Sequence, residues 1–198
     1  MVKVEKNYIF QSLDGKEVSL ADLFGRHKQL IVYHFMFGPD KEEGCGGCTF
    51  TAANIPDIRF LAAQNTAVTL ISRGDPAKIA AYKEKNGWTF PWYSSLGSDF
   101  NYDFHVSIDE SVTPLYYNYR DKKEWAERNL LDRLKGEQPG WSVFYKEGND
   151  IYHTYSTFSR GGEKVMSTYM MLDMTPLGRN QAMPHEFPRP YQLAEVEV

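Results

Sequence analysis

Long apolar runs, basic clusters and cysteines are all scarce in this chain of 198 residues. No apolar run approaches the length that crosses a bilayer, and residues 1–6 lack the apolar core of a signal peptide, so we expect a cytoplasmic protein with no membrane partner. The formal net charge of −4, with no cluster of lysine and arginine, argues against a nucleic-acid partner. In a reducing compartment, a cysteine pair is more often catalytic or metal-binding than structural.

Both cysteines lie in one short stretch, Cys45-Gly46-Gly47-Cys48. Residues 30–37, which come before it, are apolar and rich in β-branched and aromatic side chains, which predicts a buried strand. Residues 50–64, which follow it, place apolar side chains at helical spacing. Pro56 in that segment predicts either a kink or a break into two short helices. The pair is therefore expected where a strand is followed by a helix.

The first turn of a helix favours a thiolate because its N–H groups are unpaired and carry partial positive charge. The two-residue gap lets Cys48 reach Cys45 and close a disulfide, so we predict a redox-active dithiol with Cys45 the more exposed thiol. Asp40, Glu42 and Glu43 come just before the pair and oppose a thiolate. Exposed charges are screened over about 10 Å at 0.1 M salt, whereas the helix terminus acts at contact distance, so we expect the helix to outweigh them.

The segments after the cysteines alternate between strand and helix. Residues 67–72 predict a second buried strand, and residues 76–86 predict a helix with Asp75 as its N-cap. A short strand is expected near residues 90–94. This order requires parallel strands joined by right-handed crossovers, so the expected fold class is α/β.

The second half of the chain is less regular. We expect an aromatic-rich insertion at about residues 95–138 that contains an amphipathic helix over residues 121–135. The turn Gly148-Asn149 predicts a β-hairpin over residues 141–156, and a closing helix is expected at residues 163–172.

The two ends of the chain carry different signals. A turn at Asp14-Gly15 predicts an N-terminal hairpin, and residues 19–25 predict a brief helix closed by glycine. We expect one domain over residues 1–175 and an extended C-terminal tail over residues 176–198, packed against a neighbour.

A strand, a CxxC and a helix in an α/β chain are similar to the thioredoxin superfamily. More narrowly, the chain is identified as a member of the DUF899 family of predicted dithiol–disulfide oxidoreductases. The segments that carry this likeness are residues 33–40, 43–45, 87–92, 97–104, 153–157 and 173–179. The resemblance implies a thioredoxin-like fold, with a central mixed sheet, helices on both faces and a peroxiredoxin-like N-terminal hairpin. It also implies that Cys45 attacks a substrate disulfide and that Cys48 resolves the mixed disulfide.

Three further residues are candidates for supporting roles. His34 falls where thioredoxins carry a buried acid beneath the CxxC and would relay a proton; the alternative is a core histidine bonded to backbone. Arg73, at the carboxyl end of the second strand, would stabilise a thiolate or a substrate carboxylate, or would be a solvated loop residue. Pro139 is the candidate for the cis-proline that faces the CxxC in thioredoxins, with Gly140 or Trp141 as alternatives.

Several functions stay open on this sequence. The first is a cofactor-free thiol–disulfide oxidoreductase or isomerase, acting on a disulfide-containing protein or a small-molecule thiol, with a homodimer as the assembly to test. The second is a metal or iron–sulfur protein that uses Cys45 and Cys48 with His34 or His105. No second CxxC or HxxxH is present, so such a site would be shared between subunits. A peroxiredoxin-like peroxidase and a binding module without catalysis are the remaining alternatives.

Overall fold

The computed structural model describes residues 1–179 and 182–196. The strands in these residues are β1 (Val2–Lys3), β2 (Ile9–Ser12), β3 (Glu17–Ser19), β4 (Gln29–His34), β5 (Thr66–Ser72), β6 (Trp92–Ser94), β7 (Ser107–Ile108), β8 (Tyr116–Tyr117), β9 (Arg120–Asp121), β10 (Gly136–Glu137), β11 (Gly140–Glu147) and β12 (Asp150–Phe158). The α-helices are α1 (Gly46–Ala53), α2 (Ile58–Ala62), α3 (Pro76–Lys85), α4 (Phe100–Asp103), α5 (Lys122–Glu127) and α6 (Ser167–Leu172). Short 3-10 helices occur at Asp22–Phe24, Leu131–Arg133, Ser159–Val165, Pro184–Glu186 and Pro190–Glu195.

An eight-stranded mixed sheet, in the order β1-β12-β11-β4-β5-β6-β2-β3, forms the centre of the fold. Strands β4, β5 and β6 are parallel, because helices α1 and α2 connect the first two and α3 connects the second two. Strand β11 runs antiparallel to both β4 and β12. The predicted central mixed sheet of an α/β fold is therefore confirmed.

Successive side chains of β4 point to opposite faces of this sheet. Leu30 and Val32 pack with Phe100 in one buried cluster, which the N-terminal hairpin and α4 cover. Tyr33 packs with Cys48 in a second cluster, which α1 and α3 cover. Helices therefore lie on both faces, and the cysteines belong to the Tyr33 face.

Several local elements follow the sequence signals. Strands β2 and β3 form the predicted hairpin, with Gly15 at φ +84° in its turn. Asp75 caps α3 by accepting hydrogen bonds from the amides of Ala77 and Lys78. The predicted hairpin around Gly148-Asn149 is β11–β12. Of the two alternatives at Pro56, the structure has the break, because α1 and α2 are separate helices.

Two predicted helices are wrong in extent. The helix expected over residues 121–135 ends at Glu127, because Asn129 adopts φ +55° and reverses the chain before the 3-10 turn Leu131–Arg133. The closing helix expected at residues 163–172 is instead a 3-10 helix followed by α6. Met166, at φ −99° and ψ 91°, separates the two.

The insertion between β6 and β11 builds its own small apolar cluster against the end of β12. Trp125 donates its indole N–H to the carbonyl of Tyr117 at 3.0 Å, and both pack near Phe158. The cluster attaches the insertion to the end of β12, where Phe158 pairs with Gly140 at the start of β11. Over the described residues, no helix has the length and apolar character needed to traverse a bilayer.

Residues 182–196, which we call the C-terminal strap, contain two of the 3-10 turns. The sequence predicted an extended tail packed against a neighbour. The strap instead folds back on α1 of its own chain, where Phe187 stacks on Phe50 with ring centroids 4.2 Å apart. Residues 180, 181, 197 and 198 of that predicted tail lie outside the described residues.

Candidate dithiol site

Cys45 is the N-cap residue of α1, at the first turn after the loop that leaves β4. Its amide donates to the carbonyl of Met36 at 3.0 Å. Its own carbonyl accepts from the amide of Thr49 at 2.9 Å and from the Thr49 hydroxyl at 2.8 Å. These bonds fix the position of Cys45 where the unpaired N–H groups of the helix begin.

The two thiols, both free, differ in their access to solvent. Cys45 is partly exposed, whereas Cys48 is 2 % exposed and packs in the core cluster on the same face. The Cys48 Sγ accepts a hydrogen bond from the Met36 amide at 3.4 Å. One sulfur is therefore open to another molecule and the other is enclosed behind it.

The two thiols also differ in acidity. The hydrogen bond from Cys48, followed by the amides of Cys48 and Gly47 and the charge of His185, lowers the pKa of Cys45 to about 6. Burial, and then the hydrogen bond and charge of Cys45, raise the pKa of Cys48 well above its usual value. The first proton lost from the pair therefore leaves the charge on Cys45, and the Cys48 side chain contributes more to this than the amides of the helix terminus.

The carboxylates expected to oppose this thiolate are held in ion pairs. Glu43 bonds Lys85 at 2.7 Å and Arg189 of the strap at 2.5 Å. Glu42 bonds Lys78 at 2.6 Å. The positive charges of these partners, which belong to α3 and the strap, offset the carboxylates. Glu42 and Glu43 therefore oppose the thiolate less than their closeness to Cys45 in the sequence suggests.

Tyr33 is the residue of β4 that lies beneath the cysteines, a position that no signal in the sequence indicates. It is 2 % exposed, stacks near Trp141 with centroids 4.4 Å apart, and contacts the same cavity as Cys45 and Cys48. Burial, and then the charge and hydrogen bond of Cys48, raise the pKa of Tyr33 well above its usual value. Tyr33 therefore keeps its proton and presents a hydroxyl donor to the Cys48 sulfur.

His34 faces away from the cysteines, so its predicted position beneath the CxxC is wrong. Its Nε2 lies 2.8 Å from the Ser142 hydroxyl, and its ring stacks near Phe104 on the opposite face of the sheet. Burial lowers the pKa of His34 to about 3, with His153 adding to the effect. His34 is therefore a core histidine, which was the alternative expectation. Its hydrogen bond is to the Ser142 hydroxyl and not to the backbone.

Arg73 lies beside the site and is neither solvated nor free. It lines a cavity of about 600 Å³ that also contacts Cys45, and its Nη1 donates to Glu137 at 3.1 Å. Glu137 also accepts from Asn101 at 3.1 Å and Ser107 at 2.7 Å, while burial raises its pKa. The role predicted for Arg73 at the thiolate stays a prediction, because the structure places its guanidinium against Glu137 and over the ring of Tyr102, 4.7 Å from the ring centroid.

Pro139 lies beside the cysteines, and its peptide bond is not cis. No peptide bond in the described residues is cis. Pro139, Gly140 and Trp141 line a cavity of about 190 Å³ together with both cysteines. The cis-proline expected from the resemblance is therefore absent from the described residues, and all three candidates for the facing position lie in the same cavity.

The glycines around the cysteines have different constraints. A methyl group at Gly44 would lie 2.5 Å from the Phe35 ring and 2.9 Å from Tyr82, both buried, whereas one at Gly47 would lie 3.5 Å from Pro184. We expect Gly44→Ala to lower the free energy of unfolding by about 1–3 kcal/mol, as overpacked cores do. Gly47→Ala should stay within about 0.5 kcal/mol of the wild type. Urea unfolding of both variants measures this, and equal losses would contradict the geometry.

These features define a thioredoxin-fold protein with a dithiol at the start of its first main helix. Among solved structures, peroxidoxin BcpB from Mycobacterium tuberculosis is similar at 15% identity and a TM-score of 0.54, over 85% of this chain and 96% of that chain. A peroxiredoxin Q mutant from Xanthomonas campestris is similar at 13% identity and a TM-score of 0.50, over 86% of this chain and 99% of that chain. These likenesses establish the fold.

The family model described as a bacterial protein of unknown function, DUF899, matches residues 1–193, and the chain belongs to this family. No curated protein matches the chain.

Proposed function

We propose that this protein is a thiol–disulfide oxidoreductase in which Cys45 attacks and Cys48 resolves. The observation that carries the proposal is the asymmetry of the pair: a partly exposed thiol with a pKa lowered to about 6 lies next to an enclosed thiol with a raised pKa. An exposed thiolate and a protected second thiol are what the two steps of disulfide exchange require.

In the first step, the Cys45 thiolate forms a bond to one substrate sulfur, the substrate S–S bond breaks, and the departing thiolate takes a proton. The mixed disulfide no longer carries the Cys45 charge, which had raised the pKa of Cys48. Cys48 can then lose its proton, while the Tyr33 hydroxyl donates to its sulfur. In the second step, Cys48 attacks the Cys45 sulfur and releases the second substrate thiolate, which is also protonated.

The acidity of Cys45 favours reduction or isomerisation over disulfide donation. An attacking thiol works best when its pKa lies near the ambient pH, because a more acidic thiolate is also a poorer nucleophile. Strong disulfide donors instead have a thiol pKa as low as about 3.5. A pKa lowered only to about 6 therefore fits a reductant or isomerase.

The rate at which iodoacetamide alkylates the reduced protein should follow the thiolate form of Cys45. It should fall as the pH is lowered, with a midpoint near pH 6, the value to which the pKa of Cys45 is lowered. At pH 7 roughly 90 % of Cys45 would be thiolate, against a few per cent for a free cysteine with a pKa of about 8.5. Mass spectrometry would show one carbamidomethyl group on Cys45, with Cys48 modified only after unfolding. A redox titration followed by mass should show the loss of two protons as the Cys45–Cys48 disulfide forms. A Cys45 midpoint above pH 8.5, or a pair that never forms a disulfide, would overturn the proposal.

The alternatives predict other results. Within residues 1–179 and 182–196, no group of three or more His, Cys, Asp and Glu side chains is placed to hold a metal ion. The metal-binding alternative is the site shared between subunits that the sequence leaves open. Elemental analysis of untagged protein tests that alternative. A peroxidase would consume peroxide with a thiol donor faster than it reduces a disulfide.

A further inference from the structure

We infer that the substrate is a small-molecule disulfide and that the C-terminal strap excludes protein disulfides. This inference rests on the proposed function and concerns which molecules reach Cys45. The strap covers one side of the dithiol, the insertion lies on the other side, and two cavities lie beside Cys45. The inference follows from these three features.

The strap covers the first turn of α1. A methyl group built on Gly46 would lie 3.7 Å from the Cα of His185, and one built on Gly47 would lie 3.5 Å from Pro184. These are ordinary van der Waals distances, so the gap between the strap and the helix backbone beside Cys45 would hold a single methyl group. A polypeptide has no room to pass over this turn while the strap is in place.

The strap is fastened at two separate points. Phe187 stacks on Phe50 with an interplanar angle of 23°, in the cluster that also holds the buried Tyr169. Arg189 bonds Glu43 in the loop before Cys45. Apolar and ionic contacts therefore both hold the strap over the helix terminus.

On the opposite side of the dithiol, two of the main-chain groups that an extended peptide would use are already hydrogen-bonded within the chain. Recognition of a peptide as an added strand needs unpaired backbone N–H and C=O groups. The amide of Gln138 already donates to Val106 at 2.8 Å, and the carbonyl of Pro139 accepts from the Tyr117 hydroxyl at 2.9 Å. The insertion thus occupies the backbone groups beside the cysteines.

Two cavities remain, and Cys45 contributes to both of them. One, of about 190 Å³, is lined by Met166 and Met183 among other residues, and the other, of about 600 Å³, extends toward Arg73. Pockets for small ligands typically measure about 300–1,000 Å³. Both cavities therefore offer space beside the Cys45 sulfur for a small disulfide.

The balanced reaction transfers two electrons. The Cys45–Cys48 dithiol becomes a disulfide, and the substrate disulfide becomes two thiols by the two steps described above. A low-molecular-weight dithiol, such as dithiothreitol, then exchanges with the Cys45–Cys48 disulfide and restores the reduced pair. The cycle needs no other oxidant or reductant.

The wild-type protein provides the first test, without any substitution. Reduced protein, freed of excess dithiothreitol, is mixed with bis(2-hydroxyethyl) disulfide or with insulin, and formation of the Cys45–Cys48 disulfide is followed by mass. We expect the second-order rate constant to be at least about tenfold higher with the small disulfide, since access decides the rate of exchange. Equal rate constants would overturn the inference.

The same measurement separates this inference from the proposed function. If the pair forms its disulfide in the redox titration but reacts with neither substrate, the inference fails and the proposed function stands. If the pair forms no disulfide under any oxidant, both fail.

Phe187→Ala provides the second test, because Phe187 fastens the strap and lines neither cavity. We expect the ratio of the insulin rate constant to the small-disulfide rate constant to rise at least about fivefold, because loosening the strap exposes the dithiol. Phe60→Ala, at a phenylalanine of α2 that is 76 % exposed, is the matched control and should keep the wild-type ratio. An unchanged ratio in Phe187→Ala, with circular dichroism showing a native fold, would overturn the role of the strap.

Discussion

Cys45→Ser should abolish disulfide reduction, with a loss of at least about a thousandfold, because a serine hydroxyl is not ionised near neutral pH and cannot attack sulfur. Cys48→Ser should lose turnover as well, but for a different reason. Its Cys45 thiolate can still attack, whereas the mixed disulfide that results has no neighbouring thiol to resolve it. Mass spectrometry after mixing with bis(2-hydroxyethyl) disulfide should show one mixed-disulfide adduct on Cys48→Ser and none on Cys45→Ser.

The contrast between the two variants tests the assignment of roles. Both cysteines lie in the same four-residue stretch, and the assignment rests on a partly exposed Cys45 sulfur and an enclosed Cys48 sulfur that accepts a hydrogen bond from the Met36 amide. An adduct on Cys45→Ser, or turnover retained by Cys45→Ser, would reverse the roles. The double variant Cys45→Ser/Cys48→Ser supplies the background for both measurements, and its thermal unfolding shows whether the fold tolerates serine here.

The parts of the fold that the sequence predicted are those set by local signals. The turn at Gly148-Asn149, the cap at Asp75 and the strand before Cys45 each depend on residues within a few positions of one another. Turn conformations, helix caps and hydrophobic periodicity act over that range, so they can be recognised without knowledge of the tertiary contacts.

The errors at β4 and α5 come from effects that a sequence pattern does not contain. Counting from the strand placed His34 beneath the cysteines, but alternation along β4 gives that place to Tyr33, and an error of one residue exchanges the two faces. The apolar spacing over residues 121–135 is real, since Trp125 and Leu134 join one buried cluster. A turn at Asn129 brings them together instead of a continuous helix.

The environment of the thiolate was the least predictable part of the site. The partner of Glu43 on the strap, Arg189, lies 146 positions away in the sequence, and the strap has no periodicity that predicts where it packs. The pairing that offsets the Glu43 charge beside Cys45 therefore includes a non-local contact. The strap is also the segment that we infer to limit access to Cys45, and the CxxC motif does not indicate its position.

Acid should destabilise this protein strongly through His34. Burial lowers the folded-state pKa of His34 from 6.5 to about 3, so the unfolded chain binds one more proton than the folded chain between those two values. Its contribution to stability is complete above pH 6.5 and is lost as the pH falls toward 3. Each pH unit below 6.5 costs about 1.4 kcal/mol, which gives a loss of about 3 kcal/mol between pH 7 and pH 4. Urea unfolding at a series of pH values measures this slope.

His34→Leu isolates that contribution. The His34 Nδ1 is buried without a hydrogen-bond partner, and Ser142 keeps a partner in Ser156 at 3.0 Å when the imidazole is removed. At pH 7 the free energy of unfolding of the variant should therefore be near that of the wild type. Below pH 6.5, its free energy of unfolding should fall less steeply with decreasing pH, by the slope that corresponds to about one bound proton. His153→Leu is the matched control: His153 is half-buried and bonds Ser156 at 2.7 Å, so its removal should flatten the slope less. Parallel pH profiles of wild type and His34→Leu, or an NMR titration of His34 near pH 6.5, would contradict a neutral core histidine.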